Sequence, residues 1–142
     1  MKKLIITLSV VCTFLAAVGC GSPGSALEQD KWSLISYGAQ GNSEQVLAGT
    51  EITAEFDSGK GQVSGSGGCN TYFASYEVDG KSLSLSDIAW TEMACLSPQG
   101  VMEQEQEVLA LLAEARSFEV EDISLTITCA DGSQLNFTAV PQ

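Results

Sequence analysis

Short runs in which apolar and polar residues alternate cover most of the chain after residue 30. The first run contains Trp32 and Leu34, and the second contains Ile52, Ala54 and Phe56. Further alternating runs cover residues 62–66, 76–78, 83–88, 125–129 and 135–140. A period of two residues is typical of a strand with one buried face, and Gly-containing turns separate the runs. The pattern therefore predicts a mostly antiparallel sheet.

Two Asp-Gly pairs, Asp79-Gly80 and Asp131-Gly132, lie between neighbouring alternating runs. This dipeptide favours the positive backbone angles of a tight type I′ hairpin turn. Each pair is therefore predicted to join two adjacent antiparallel strands.

The hydrophobic period changes to that of a helix between Pro98 and Ala115. Its apolar positions fall on one face: Val101, Val108, Leu109, Leu112 and Ala115. Its outward polar positions are Glu103, Gln106, Glu107 and Glu114. Ser97 followed by Pro98 fits a helix cap with proline at the first helical position. We predict one helix on the sheet; the alternative is a partner-binding helix, although the apolar stripe is no wider than a sheet face requires.

The N-terminus has the pattern of an export signal. Lys2 and Lys3 precede an apolar stretch at 4–18, which is shorter than the ~20 residues of a spanning helix. Small residues then lead to Cys20, and the site resembles the bacterial lipobox, whose cysteine takes a diacylglycerol thioether. The alternatives are a retained anchor helix or a secretory signal with an incidental cysteine.

This interpretation divides the chain into a signal peptide at 1–19, a lipidated Cys20 with a flexible tether at 20–29, and a domain at 30–142. It predicts an extracytoplasmic protein, lipid-anchored to a bacterial membrane, and leaves inner or outer membrane open. The portion from Cys20 onward has the usual size of one domain.

Acidic residues dominate this mature portion. It keeps four basic residues, Lys31, Lys60, Lys81 and Arg116, against all 18 carboxylates, a net charge of −14. Nucleic-acid binding is excluded because it depends on Lys/Arg patches. The acidity is interpreted as a solvated surface; the alternative is a docking face for a basic partner.

Histidine is absent from the sequence. The usual general base near neutral pH, the commonest transition-metal ligand and the Ser-His and Cys-His nucleophile pairs are therefore absent as well. No pair among the 18 carboxylates is singled out by spacing. We expect no enzyme activity, no catalytic residues, no metal and no cofactor.

Three cysteines, Cys69, Cys95 and Cys129, remain after the signal and the lipidated residue are set aside. An oxidising compartment favours one bridge and one spare thiol, and spacing leaves all three pairings open. Free thiols are an alternative to a disulfide. A redox or zinc site is disfavoured, since Cys-x-x-Cys is absent and structural zinc needs four ligands.

Two motifs carry a family resemblance. The first is Gly68-Cys69-Asn70 with Tyr72, and the second, some 20 residues later, is Thr91-Glu92-Met93-Ala94-Cys95. Together with the helix and the strands that follow, they resemble the META domain of HslJ-type bacterial envelope proteins, from about Trp32 to Val140.

The resemblance implies an α+β fold that is mostly antiparallel β: a small open or cracked barrel, or a strongly bent sheet, packed with one α-helix. It also implies lipoprotein carriers, envelope stress, heat induction and drug tolerance, without an established catalytic activity. Since each motif supplies one cysteine, it implies a Cys69–Cys95 disulfide with Cys129 free. A disulfide between these two cysteines would stabilise the fold by about 3 kcal/mol in the chain-entropy model.

Several motif residues have competing structural and ligand-binding interpretations. The glycines at 65, 67 and 68 indicate a sharply bent strand end beside Cys69 and Asn70. Asn70 and Thr91 are expected to bond local backbone, with ligand contact as the alternative. Four apolar side chains are expected in the core, with a ligand-binding groove as the alternative: Tyr72, Phe73, Trp90 and Met93.

The sequence thus favours a non-enzymatic, lipid-anchored envelope domain that acts in envelope maintenance or stress tolerance. Its partners would be the membrane, through the lipid, and another envelope protein or lipid. The alternative function is a pilot-like or carrier module whose cracked barrel binds an acyl chain or a secretion-system peptide.

Overall fold

The computed structural model describes residues 23–140. Its elements, in chain order, are α1 Pro23–Leu27, β1 Lys31–Ala39, β2 Asn42–Gln45, β3 Thr53–Asp57, β4 Gln62–Ser66, β5 Thr71–Asp79, β6 Ser82–Trp90, α2 Val101–Ala113, β7 Ala115–Glu121, β8 Ser124–Cys129 and β9 Gln134–Val140. No helix within this range is long and apolar enough to cross a membrane.

Nine strands form one antiparallel sheet that curves back on itself. The strands follow the order β2-β1-β3-β4-β5-β6-β7-β8-β9, and β1 also pairs with β9. The main strands therefore form a ring, with β2 as a short additional strand beside β1. This is the predicted cracked barrel.

The ring is closed well on one side and poorly on the other. β1 and β9 share seven residue pairs, from Lys31 with Val140 to Gly38 with Gln134. β6 and β7 share a single pair, Ser82 with Ser117. Beyond that pair, β6 continues to Trp90 without a strand on this side in the described chain. We call this unpaired stretch, residues 83–90, the β6 edge.

Each end of the barrel is covered by a helix. At one end, Leu27 of α1 is fully buried and its carbonyl accepts a hydrogen bond from the Trp32 indole at 2.9 Å. At the other end, α2 contacts the turns and loops that join the strands there. Gln104 accepts from the Leu47 N–H at 2.7 Å, and the Glu114 carbonyl accepts from the Ala130 N–H at 2.9 Å.

The interior is filled by apolar side chains from every wall and from α2. Its fully enclosed members include Trp32, Ile52, Val63, Tyr72, Leu83, Leu112, Leu125, Ile127, Leu135 and Phe137. Apart from Leu112 on α2 and Ile52 just before β3, they occupy inward positions of the strands, since residues two apart on a strand share a face. The buried polar atoms of the described side chains all have hydrogen-bond partners.

The structure corrects three details of the sequence prediction. α2 begins at Val101, after Gly100 at φ 90°, so Ser97 and Pro98 lie before the helix and Ser97 is not its cap. Ala115 belongs to β7. β2, whose residues are all exposed, was not predicted, because a strand with both faces in solvent has no alternating pattern.

The Asp-Gly pairs both join neighbouring antiparallel strands, as predicted, but the predicted type I′ geometry is wrong: among residues 23–140 the non-glycine residues with positive φ are Asp87 and Asp122, and neither Asp79 nor Asp131 is one of them. In the β5–β6 hairpin, Asp79 pairs with Ser82, so Gly80 and Lys81 form the tight loop. The predicted signal peptide at 1–19 and the predicted lipidation site Cys20 lie outside the described residues, and the predicted tether at 20–29 falls partly outside them. Its described part is not a simple flexible linker, because it contains α1 and the buried Leu27.

Candidate functional site

Asn70 joins three segments of the chain at the α2 end of the barrel. Its Oδ1 accepts hydrogen bonds from the Thr91 hydroxyl at 2.8 Å and from the Met93 N–H at 2.7 Å. Its Nδ2 donates to Glu105 Oε1 at 2.6 Å and to the Met93 carbonyl at 3.2 Å. The predicted local role of Asn70 is therefore wrong: its side chain bonds residues 23 and 35 positions away.

Glu105 is the buried charge of this network, with 2% of its surface exposed. Its Oε2 accepts from the backbone N–H groups of Asn70 at 2.6 Å and Cys69 at 3.1 Å. The ion pairs found in residues 23–140 lie elsewhere. Hydrogen bonds from neutral donors thus compensate the desolvation of this carboxylate.

The motif glycines create the space that this network needs. A Cβ on Gly67 would lie 2.7 Å from Glu105 Oε2, and one on Gly65 would overlap the Thr53 carbonyl. Gly68 has φ +112°, a conformation that side chains disfavour. The bent strand end predicted from these glycines is present.

A disulfide joins Cys69 to Cys95 across the same region, with a Cα–Cα distance of 5.9 Å. It is the pairing that the family resemblance implies. The loop at 91–100 is therefore held to the 67–70 turn by a covalent bond and by the Asn70 hydrogen bonds. Leu96 and Met93 of this loop are 93% and 58% exposed.

A groove of about 460 Å³ lies between α2 and the last residues of β6. We call it the β6–α2 groove. Its lining is Ile88, Trp90, Met102, Glu105, Gln106, Leu109, Ala110 and Ala113. Six of these eight residues are apolar, and Trp90 is 50% exposed. Its volume is within the usual range of small-molecule sites.

The groove wall comes from a register change in β6. Between its pairs with Phe73 and Ser75, β6 carries one residue more than β5, and Asp87 in this stretch has φ 54°. Such a bulge redirects the side chains that follow it. Trp90 lies opposite the inward-facing Tyr72 of β5. Pairing with β7 does not reach this far along β6, so the Trp90 side chain lies beside α2 rather than in the core.

The expectation that four apolar motif residues lie in the core is correct for Tyr72 and wrong for the half-exposed Phe73, Trp90 and Met93. As candidate ligand-facing residues, the four do not converge on one site. Tyr72 is in the core, where its hydroxyl donates to the Thr53 carbonyl at 2.8 Å and burial raises its pKa. Phe73 is half-exposed on the outer face of β5, and Met93 lies in the 91–100 loop. Of the four, Trp90 alone lines the β6–α2 groove.

Glu105 was missed at the sequence level, although the helix pattern contains a signal for it. It follows Val101 by four residues and precedes Leu109 by four, so it lies within the apolar stripe. A carboxylate at such a position must be paired or hydrogen-bonded. Gln104, also buried, was missed for the same reason: glutamate and glutamine in a helix are usually exposed.

The remaining thiol, Cys129, is buried beside the C-terminal end of α2. Its Sγ donates to the Leu111 carbonyl at 3.2 Å. Burial has the largest effect on the pKa of this thiol, and the nearby Asp131 and Glu114 carboxylates act in the same direction. Together they raise the pKa to about 11. The protonated thiol is a poor nucleophile, so Cys129 acts as a small core residue.

No cluster of three or more Cys, Asp or Glu side chains suited to a metal occurs within residues 23–140. The tightly held carboxylate, Glu105, is occupied by three donors. The arrangement is suited to holding a turn and to lining an apolar groove.

Comparison with known proteins gives a family and a fold. The sequence profile of the META domain matches residues 25–142. No curated protein sequence matches the chain. An NMR structure of a protein from Burkholderia xenovorans is similar over 100% of both chains, with 25% identity and a TM-score of 0.70.

Two further structures share the fold at lower identity. An NMR structure of another protein covers 84% of this chain and 95% of its own, with 22% identity and a TM-score of 0.62. The crystal structure of a DUF4847 family protein from Bacteroides vulgatus ATCC 8482 covers 82% and 96%, with 13% identity and a TM-score of 0.58.

Proposed function

This chain belongs to the META domain family, and from that premise we propose that it is a lipid-anchored envelope protein that works by binding another envelope component. The lipid is attached at Cys20, and the partner is bound in the β6–α2 groove. The role of the complex is envelope maintenance or stress tolerance. Catalysis is not part of this function.

The observation that carries the proposal is the β6–α2 groove itself. A closed barrel would bury Ile88 and Trp90 against β7, but here they are left beside α2 with apolar walls around them. Exposed aromatic side chains in a concave apolar site are typical centres of binding energy. A partner that filled the groove would remove this surface from water.

The position of the groove supports anchoring at the other end. Glu28, just after α1, accepts hydrogen bonds from Ser58 at 2.6 Å and Tyr76 at 3.3 Å, beside the β3–β4 and β5–β6 turns. β6 runs from that end to Trp90, a length of about 26 Å at the usual rise per residue. A lipid attached ahead of Pro23 would therefore leave the groove facing away from the membrane.

Site-specific photocrosslinking tests the binding role. A photoreactive residue at position 110 lies in the groove, and the same residue at position 107 is exposed but outside the groove lining. In bacteria that make the full chain, we expect a discrete adduct from position 110 and none from position 107. Equal adducts from both positions, or none from position 110, would contradict groove binding.

Metabolic labelling tests the anchor. Labelled palmitate should enter the wild-type chain and not the Cys20→Ser variant, which should be released from membranes. Cys129→Ser is the control, since its thiol is buried and should not affect labelling. Equal labelling of all three proteins would exclude lipidation at Cys20.

The second candidate function is an acyl-chain carrier, which the mostly apolar lining of the groove favours. Mass spectrometry of lipids that accompany the purified full chain distinguishes it. Stoichiometric lipid that is lost in Ala110→Trp, which fills the groove, would support the carrier. Lipid in equal amount in both proteins would exclude it.

A further inference from the structure

The β6 edge carries hydrogen-bonding capacity that the described fold does not use for strand pairing. β5 pairs with β6 on one side, from Asp79 with Ser82 to Tyr72 with Trp90, with one bulge on β6 between Ser86 and Ala89. On the other side, pairing ends at Ser82 and Ser117, with one further backbone bond from Phe118 N–H to the Lys81 carbonyl. Alternate residues of an antiparallel strand direct N–H and C=O groups to each side. Outside the bulge at Asp87, the β6 edge is therefore a template for another strand.

The β6–α2 groove borders the last part of this edge, at Ile88 and Trp90. Its helical wall runs from Met102 to Ala113, which is about 16 Å at the rise of an α-helix. An extended segment of about five residues covers that length. Ala110 and Ala113 have small side chains, so a peptide backbone can approach the helix closely.

A strand added here would have a place for its side chains as well as its backbone. Alternate residues of such a strand would face the groove, where Trp90, Ile88 and Leu109 offer apolar contact. The other residues would face solvent on the outer side of the sheet. A segment with alternating apolar residues therefore fits the groove better than a continuous apolar one.

The negative charge of the domain favours basic residues at the solvent-facing positions of the added strand. Residues 23–140 hold four basic side chains against 18 acidic ones, and Lys60, Lys81 and Arg116 are already in ion pairs. Asp87 on β6 and Glu103 on α2, each next in sequence to a residue that lines the groove, are both exposed. This field attracts a basic segment and repels an acidic one.

We propose that the β6 edge and the β6–α2 groove together bind an extended segment of a partner protein, in which apolar residues alternate with lysine or arginine, as an additional antiparallel strand. This inference rests on the proposed groove-binding function and names its partner class. Main-chain hydrogen bonds to β6 align the bound segment, and contacts with the groove select the side chains at its alternate positions.

The probe is the synthetic peptide acetyl-Lys-Val-Thr-Val-Lys-Val-Lys-amide, added to the purified full chain. We expect amide exchange of alternate residues on the β6 edge to slow by about tenfold or more when the peptide is bound, because new backbone hydrogen bonds protect them. A peptide with the same sequence and N-methylated alternate amides should bind at least about tenfold more weakly. A peptide with glutamate for lysine should also bind more weakly.

Three protein variants and a small ligand separate the possible failures. Ala110→Trp should abolish peptide binding, and Glu107→Trp, on the exposed side of the same helix, should not. Decanol serves as a small apolar ligand that can occupy the groove but cannot pair with a strand. If N-methylation has no effect and Ala110→Trp still blocks binding, strand addition is wrong and groove binding survives.

The opposite failures are also defined. If decanol binds in an Ala110→Trp-sensitive way and no peptide binds, the groove accepts small apolar ligands and the peptide proposal is wrong. If neither decanol nor any peptide is affected by Ala110→Trp, the groove is not a binding site and the proposed function fails with it. Trp90→Leu tests the anchor residue, with an expected loss of about tenfold in affinity.

Discussion

The two seams of the barrel differ in what holds them together. The β1–β9 seam has seven residue pairs and a filled interior behind it. The β6–β7 seam has one pair, and the region above it is covered by α2 and by the network of Asn70 and Glu105. Backbone pairing stabilises the first seam, whereas side-chain contacts of α2 stabilise the second.

This difference has a functional meaning. A complete ladder satisfies its backbone groups and buries both of its strands, so it offers little to a partner. An interrupted ladder leaves a strand edge and an apolar groove. The elements on the two sides of the groove must then be held apart. The polar network at the end of α2 provides that support, because it fixes the helix to the 67–70 turn.

The largest loss of stability should come from a substitution at the fully paired β1–β9 seam, which we call the closed wall. Leu135→Ala, at a fully enclosed position of β9, should lower the free energy of unfolding by about 4 kcal/mol. Leu109→Ala should cost about 2 kcal/mol, because one side of Leu109 already faces the β6–α2 groove and its cavity joins that space. Urea unfolding of both variants measures the difference. Equal losses would mean that the groove side is packed as tightly as the closed wall.

Asn70→Ala should remove about 3 kcal/mol, since it leaves donors and acceptors of Glu105 and Met93 without partners in a buried site. The matched control is Asn136→Ala in β9, whose side chain bonds Ser36 and Thr126 at longer distances of 3.2 and 3.3 Å. Its expected cost is about 1 kcal/mol. A reversed order would show that the network contributes little to the open seam.

Loss of the disulfide should have a smaller effect than its loop length suggests. The chain-entropy value is about 3 kcal/mol, but the Asn70 hydrogen bonds to Met93 still hold the loop in the Cys69→Ser/Cys95→Ser variant, so we expect about 2 kcal/mol. Hydrogen exchange should rise at 91–100 and remain unchanged in β8 and β9. Faster exchange throughout the barrel would contradict this local role.

The smallest effect concerns the pH dependence of stability. The pKa of the Cys129 thiol is raised to about 11 in the folded protein, so the folded state keeps this proton after the unfolded state loses it. Stability contributed by the thiol is complete below its ordinary pKa and falls as the pH rises toward 11. We expect a loss of about 1 kcal/mol between about pH 9 and pH 10 that is absent in Cys129→Ala. Parallel curves for the two proteins would exclude this contribution.

Much of the fold could be predicted from the sequence, because burial and alternation coincide in most strands. Trp32, Ile52, Leu83 and Leu125 are each inward positions of predicted runs. The start of α2 could not be predicted: Ser97-Pro98 has the local pattern of a helix start, and packing of Val101 against the barrel determines the true beginning. Tertiary packing here overrides local capping preference.

The site was predicted less well. The motifs identified Cys69, Asn70 and Cys95, but the partner of Asn70, Glu105, is 35 residues away and has a residue type that is usually exposed. The β6–α2 groove depends on where β7 begins relative to β6, which is a matter of strand register. Periodicity gives the faces of a strand and not the length of its pairing with a neighbour.

The central position of β1 has a mechanical consequence. β1 follows directly after the N-terminal segment and is hydrogen-bonded to β9 on one side and to β2 and β3 on the other. A force between the N-terminus and the α2 end of the barrel acts along this strand, so its ladders are loaded in shear and many hydrogen bonds resist together. A protein tethered by its first residues and pulled by a partner at the opposite end would transmit that tension through its best-paired strand.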